Sequence, residues 1–259
     1  LAGLNSTQKR QIINGIVGSI YTLHHFMPPL PHRGLRPGCY YVCRQGANCR
    51  AVLALFSTIK DNTAEKTVYG ELNSLLQNVT DRMYIAPELS VDTVEYRRTQ
   101  QILQEKAIAV QYPQAGTTFS LGGAEIEVWT PPSAADGLNN HSLVLRVVYG
   151  DTAFLLMGDA EREEEEALLA SGMPLRADVL KVGHHGSDTS TGKALLDAVQ
   201  PRYAAISTAW DSSRLPRETV LRRLRSAGVA LYRTDVCGTL LFLSDGETVR
   251  VVTENEACA

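Results

Sequence analysis

Nothing in this chain is both long and apolar enough to cross a bilayer, which takes about 20 consecutive apolar residues in a helix. The apolar run at 12–20 is shorter and carries two glycines. Lys9 and Arg10 precede that run, yet no starting Met and no small-residue cleavage site accompany it, so it does not read as a secretory signal. Acidic residues are absent from the first sixty positions, where seven Lys and Arg stand alone, leaving 18 basic against 28 acidic residues downstream. A basic arm of this kind can engage phosphates or an anionic surface. With Pro28, Pro29, Pro31 and Pro37 and no clear period, it reads better as an irregular segment, or as one outside the natural reading frame. No C-x2-C pair occurs, so Cys39, Cys43 and Cys49 with His24, His25 and His32 lack the spacing of a structural zinc site. Five cysteines cannot all pair within one chain and give no disulfide framework, which leaves the compartment open.

What is present is a globular composition, 44% hydrophobic and 20% charged over 259 residues, enough for one large or two small domains. From Met83 onward short β-branched runs alternate with helix-length segments, the pattern of an α/β domain. Strands are predicted at 83–86, 108–111 and 125–129, with a helix over 93–106 capped by Ser90 or Asp92. Two further strands, 143–148 and 153–157, flank Tyr149-Gly150-Asp151-Thr152, a tight hairpin signal. A helix follows over 160–171, with four consecutive glutamates early and Gly172 after its end. Strands at 178–182, 203–207, 229–232, 239–243 and 248–252 and helices near 191–199 and 217–227 complete the chain, with no internal repeat. Domain bounds follow as 1–80, an atypical basic segment; 81–252, the α/β domain; and 253–259, a tail.

Three strands end in polar or ionisable groups: Phe154-Leu155-Leu156-Met157-Gly158-Asp159, Val179-Leu180-Lys181-Val182-Gly183-His184-His185-Gly186-Ser187, and Tyr232-Arg233-Thr234-Asp235. In α/β architecture reactive groups collect where strands end, because a rigid sheet holds them while loops leave room for substrate. Asp159 offers a hard oxygen and His184 and His185 offer imidazole nitrogens, a donor set suited to zinc or manganese. Taken alone, Asp159 reads as the N-cap of the 160–171 helix and the two histidines as a loop feature. Their order, with Gly-Asp ahead of His-His-Gly-Ser, favours a shared site.

Asn139-Asn140-His141-Ser142-Leu143-Val144-Leu145-Arg146, Leu155-Leu156-Met157-Gly158-Asp159-Ala160-Glu161, Asp178 through Ser187 and Tyr232 through Asp235 resemble the consecutive motifs of the ComEC-type competence proteins' metallo-β-lactamase-like domain. Tyr84-Ile85-Ala86-Pro87 and Pro131-Pro132-Ser133 match its connecting segments. The resemblance implies an αββα sandwich of the metallo-β-lactamase type, with a site for two divalent ions, zinc or manganese, that hydrolyses phosphodiesters. It implies a nuclease role in DNA uptake, with DNA or another phosphodiester as partner, in a larger membrane protein or a secreted one, outside the cytoplasm at the cell surface or in the periplasm. By resemblance Asp159 bridges the two metals and one of His184 and His185 closes the ligand shell of the second metal, the other orienting it or the substrate. Asn139, Asn140, Lys181, Ser187 and Thr234 fall where substrate is held, and Asp235 is a weaker catalytic candidate, equally readable as a turn aspartate before Cys237-Gly238.

Two departures stand out. The family's His-x-His-x-Asp-His motif occurs nowhere here, and Asp61-Asn62-Thr63-Ala64-Glu65-Lys66, the nearest polar cluster, has no histidine. Leu1-Ala2-Gly3-Leu4-Asn5 looks like the segment that follows that motif in relatives, so the sandwich is expected to be partial, lacking its first strands. Arg214-Leu215-Pro216 stands where relatives carry His-Pro. The expected function is therefore a metal-dependent hydrolase with little or no activity in this form. The alternatives are a non-catalytic remnant that binds nucleic acid, or a hydrolase of another ester class, since fold alone does not fix substrate.

Overall fold

The computed structural model describes residues 40–45, 48–54, 83–88, 90, 94–121, 124–131, 139–208, 215–238, 240–253 and 255. Strands β1 (Tyr40–Gln45) and β2 (Asn48–Ala54) come first, then β3 (Met83–Ile85), helix α1 (Val94–Glu105) and β4 (Ala109–Gln111). A run of four strands follows: β5 (Thr117–Leu121), β6 (Ala124–Trp129), β7 (Val144–Tyr149) and β8 (Thr152–Leu156). Helices and strands then alternate through α2 (Arg162–Ala170), β9 (Val179–Lys181), α3 (Lys193–Val199), β10 (Tyr203–Ile206), α4 (Glu218–Ser226) and β11 (Ala230–Arg233). The short α5 (Thr234–Cys237) and strands β12 (Leu240–Ser244) and β13 (Val249–Thr253) close the chain.

A seven-stranded mixed sheet runs in the order β11-β10-β9-β8-β7-β6-β5. Pairing is antiparallel from β5 to β8 and parallel from β8 to β11. Every residue of β8 is buried, as befits the strand where the two halves meet. Alternate side chains of this sheet feed two cores, because successive residues of a strand face opposite ways. On one face Leu155, Leu180, Ala204 and Ile206 pack against Leu168 of α2, Leu195 and Val199 of α3 and Leu224 of α4. On the other, Phe154, Leu156, Val179 and Ala205 meet Leu240, Phe242 and Val249. These last belong to a four-stranded sheet in the order β13-β12-β1-β2. The layers are thus helices, mixed sheet and second sheet, the α/β sandwich expected from the sequence. Helix α1 instead buries Ile102 and Leu103 against Ile108, with Val110 of β4 packed on them.

The predicted elements from 83 onward appear within two residues or so of their expected ends. Strand β5 was not expected. Strands β1 and β2 lie within the segment read as irregular, and β1 pairs parallel to β12 from Tyr40↔Leu241 to Cys43↔Ser244. Of the other early features, residues 1–39 and the 61–66 cluster lie outside the described residues, as do Asp92, Pro132, Ser133 and Arg214. Helix α2 starts from Glu161 rather than Asp159 as its N-cap, so Asp159 is not consumed in capping.

The end of the sandwich remote from the strand tips is pinned by a close backbone contact. Gly150, at φ +58°, lies so near the turn after β12 that a Cβ there would sit 2.3 Å from the Gly246 carbonyl oxygen. The Asp151 amide donates to that same oxygen at 2.6 Å, and the Thr152 and Ser244 hydroxyls bond at 2.6 Å. Gly150→Ala is expected to cost about 3 kcal/mol or more, combining left-handed strain with backbone overlap. Gly116→Ala, at φ +84° with nothing within 4 Å of the added methyl, should cost only the strain, about 1 kcal/mol. Equal losses for the two in urea denaturation would refute the contact.

Candidate active site

Four adjacent strands of the mixed sheet end at one edge, and the segments beyond them carry most of the polar groups named above. Gly158-Asp159 follows β8, Gly183-His184-His185 follows β9, Ser207-Thr208 follows β10 and Thr234-Asp235 follows β11. Because β7 runs antiparallel to β8, the 3-10 turn Asn139–His141 that leads into it reaches the same edge. Gly158, at φ +57°, lets this turn close on the strand end, since a Cβ there would lie 2.9 Å from the Ser142 Cβ. The Ser142 hydroxyl then accepts the Asp159 amide at 3.0 Å while donating to Asn139 O at 2.7 Å.

His184 (φ 43°, ψ 47°) and His185 (φ 53°, ψ 23°) are both left-handed. Such backbone costs on the order of 1 kcal/mol or more per non-glycine residue and persists only where surrounding bonds over-determine it. Those bonds are present. The His184 amide donates to Gly158 O at 3.1 Å and the Ser187 amide to His184 O at 2.8 Å. The Gly183 amide donates to the Thr191 hydroxyl at 3.2 Å, and the Ser190 hydroxyl to Gly183 O at 2.8 Å. Glu165 accepts the amides of Thr191 and of Gly192, the latter at 2.8 Å, and Arg223 Nη1 donates to the carbonyls of Ser190 and Thr191 at 3.2 and 2.5 Å.

The strained pair turns its rings in different directions, 66° apart. His185 places Nε2 3.4 Å from Asp159 Oδ1, with Nδ1 2.7 Å from the Ser207 carbonyl oxygen. His184 places Nδ1 2.9 Å from Glu161 Oε1. Asp159 and His185 are thus brought together, while Asn139 and Asn140 bond to Glu161: Asn139 Nδ2 donates to Glu161 Oε1 at 3.0 Å, and Asn140 Oδ1 takes the Glu161 amide at 3.1 Å. Ser187 is tied to Thr189, hydroxyl to hydroxyl at 3.0 Å.

The remaining three candidates are held elsewhere. Lys181 is 2% exposed and its ammonium donates to the Val182 carbonyl at 2.8 Å, so it sits within the sheet. The Thr234 hydroxyl both accepts the Thr208 amide and donates to the Thr208 carbonyl, each at 2.8 Å, splicing β10 to β11. Asp235 forms a local ion pair with Arg233, 2.5 Å at its shorter contact, which favours the turn reading of this residue. Sequence reasoning passed over Glu161, Ser142 and Thr191, whose carboxylate and hydroxyls hold the histidine loop.

A metallo-hydrolase needs a metal, and the donors can be tested against one. Two ligands about 2.1 Å from a tetrahedral ion lie about 3.4 Å apart, which is the Asp159–His185 separation. A backbone carbonyl behind a ring nitrogen, as Ser207 stands behind His185, is the usual support for a ligating imidazole. A catalytic zinc takes three protein ligands, however. Among the described residues no group of three His, Cys, Asp or Glu comes together as a cage. This set supplies one edge of a coordination polyhedron and does not complete it.

The family model described as "Metallo-beta-lactamase superfamily" matches residues 80–210, 131 of the 259. The chain belongs to this superfamily. Among curated relatives of this member, "ComE operon protein 3" of Bacillus subtilis is 31% identical over 182 residues, 69% of this chain and 23% of that protein. "Competence protein ComA" of Neisseria gonorrhoeae is 43% identical over 106 residues, 40% of this chain and 15% of that protein. Those two alignments span less than a quarter of either relative's length. Among solved structures, the metallo-beta-lactamase fold protein YhfI of Bacillus subtilis is 11% identical with a TM-score of 0.39, over 76% of this chain and 75% of that one. The competence-protein resemblance read from the motifs is matched by these relatives.

Proposed function

We propose that this superfamily member is the hydrolase-fold domain of a competence-type protein and serves DNA uptake, with DNA phosphodiesters as its substrate class. Asp159 and His185 are two of its metal ligands, the metal being zinc or manganese. The chain itself, without the His-x-His-x-Asp-His motif, binds metal weakly and is catalytically silent. Its place is outside the cytoplasm, where incoming DNA is met. The observation that carries the reading is the 3.4 Å approach of Asp159 and His185 at the strand-end edge, under a strained and heavily anchored backbone. Relatives named for competence support the biological setting.

The test has two arms. The purified chain, given manganese or zinc and labelled DNA, should show no turnover above background and hold less than one tightly bound ion. The same chain carrying an added segment with the His-x-His-x-Asp-His motif from a family member should gain metal-dependent cleavage that Asp159→Ala abolishes. Robust turnover by the unaltered chain, lost in Asp159→Ala, would show that the silent reading is wrong. Turnover in the supplemented chain that ignores Asp159→Ala would remove Asp159 from the site.

A further inference from the structure

Over residues 217–225, from the N-cap of helix α4 through most of its length, Arg217, Arg222, Arg223 and Arg225 stand against Glu218 alone, in a chain whose formal net charge is -3. Helix α2, in the same layer, has the opposite balance: Arg162 stands against Glu163, Glu164, Glu165 and Glu166, with Glu163 and Glu166 facing solvent. The α4 arginines divide in two. Arg223 is drawn inward onto the carbonyls of Ser190 and Thr191. Arg217, Arg222 and Arg225 are exposed, and the first two make no hydrogen bond or ion pair with another described residue. Arg225 meets Glu218 at 3.1 Å, with both side chains more than half exposed, so water weakens that pair and a second anion competes for the guanidinium. Position sets this flank apart from an ordinary solvated helix face. The Arg217 amide donates to the Gly186 carbonyl at 2.9 Å, and a Cβ on Gly186 would lie 2.6 Å from the Pro216 Cβ. The basic flank therefore begins against the residue that follows His185.

At 1.5 Å of rise per residue, Arg222 and Arg225 lie about 8 and 12 Å along the axis from Arg217. Being three apart, those two share a helix face. A polyanion that leaves the strand-end edge along α4 thus meets three guanidinium groups in succession, whereas one leaving over α2 meets carboxylates. An anionic bilayer is the other polyanion of this kind, but a helix that docks on lipid inserts its apolar side. The apolar side of α4 is already spent: Val220, Leu221 and Leu224 are buried in the core, and the exposed large hydrophobics of the described residues, Val94, Tyr112 and Val236, lie on other elements. We propose that the exposed flank of α4, through Arg217, Arg222 and Arg225, is the docking surface for the DNA backbone on one side of the strand-end edge, gripping phosphates without reading sequence. Guanidinium groups suit phosphate oxygens, and contacts of this kind position a strand while leaving its bases unread. The proposal rests on the DNA reading above and adds to it the path of the strand.

The experiment measures binding of the full chain, in chelator, to a labelled single-stranded oligonucleotide by fluorescence anisotropy across a series of salt concentrations. Replacing Arg217, Arg222 and Arg225 together by Gln should weaken binding about tenfold or more and flatten the slope of log K against log salt by about 2, three phosphate contacts at roughly 0.7 each. Replacing Arg176, Arg202 and Arg250 together by Gln, exposed cations on other elements, makes the same change in net charge and should leave affinity within about twofold. Glu218→Gln, which frees Arg225, should tighten binding about twofold, and it gives a readout of its own if the triple variant fails to fold. Residues 1–60 are the same in every variant, so their charge does not enter the comparison. Equal losses in the two triple variants, or no loss in the α4 variant, overturn the proposal while leaving the DNA reading standing. No binding by the unaltered chain even at low salt removes both. Vesicles of phosphatidylserine and phosphatidylcholine form the last arm: binding to them that needs the three α4 arginines, without binding to DNA, would make the flank a membrane contact and overturn the proposal.

Discussion

Glu164→Gln should raise the stability of the chain at pH 8 and flatten its dependence on pH. Glu164 is 2% exposed, and neither carboxyl oxygen has a hydrogen-bond partner. Burial, and then the neighbouring Glu165 carboxylate, push its pKa up from 4.5 to about 9. The Ser142 amide opposes the shift only slightly, since that N–H is already donating to Asn139 O. In the unfolded chain the group loses its proton above pH 4.5, whereas the folded chain keeps it to about 9. Its contribution to stability is thus fully present at acid pH and is lost as pH rises through that window. At about 1.4 kcal/mol per pH unit, roughly 3 kcal/mol disappears between pH 4.5 and 7. Glutamine keeps the shape and cannot ionise, so urea denaturation of both proteins at pH 5, 7 and 8.5 should give curves that diverge upward with pH. Parallel curves would mean that Glu164 is solvated or paired in a way the structure does not record.

In Glu165→Ala the loop that carries both histidines should loosen, at an expected cost of 2–4 kcal/mol, roughly the value of one or two buried hydrogen bonds to a charged acceptor. The Thr191 and Gly192 amides would lose their acceptor at the entrance to α3, and Thr191 is fully buried, so water cannot easily replace it. Amide exchange across residues 183–192 should quicken with the loss. The control is Glu166→Ala on the same helix, an exposed site where substitution should fall within about 0.5 kcal/mol. If the two variants melt alike, the carboxylate of Glu165 does not hold the loop.

These neighbours mark the limit of what the sequence discloses. Four consecutive glutamates at a helix start read alike, as acids favoured by the helix dipole. In the structure Glu163 bonds to Asn140 at 3.3 Å, Glu164 is buried without a partner, Glu165 caps the histidine loop and Glu166 faces solvent. The difference comes from contacts across more than twenty positions of chain, which no local pattern carries. Glu161 was hidden for the same reason, looking like one more acid beside a helix although its partners are Asn139, His184 and Thr189. By contrast the hairpin at Gly150-Asp151, the strands on either side of it and the approach of Asp159 to one of the two adjacent histidines were legible, because turn chemistry, alternation and strand-end placement are local. Strands β1 and β5 were not. One depends on pairing with β12 about two hundred positions away, and the other, with two threonines and a serine among its five residues, carries little hydrophobic signal of its own.

The junction at β8 also bears on how the two proposed ligands come together. From β5 to β8 the mixed sheet is a meander, and the turn joining β7 to β8 is only Gly150-Asp151. Passing from β8 to β9 takes 22 residues and a helix between Leu156 and Val179. The entropy lost on closing a loop grows with its length, so the meander can close piecewise through nearby contacts while the parallel half cannot. Asp159 stands on the near side of that long closure and His185 on the far side. Their meeting is a non-local event, and the geometry that separates a ligand pair from two unrelated side chains exists only once both halves of the sheet are joined.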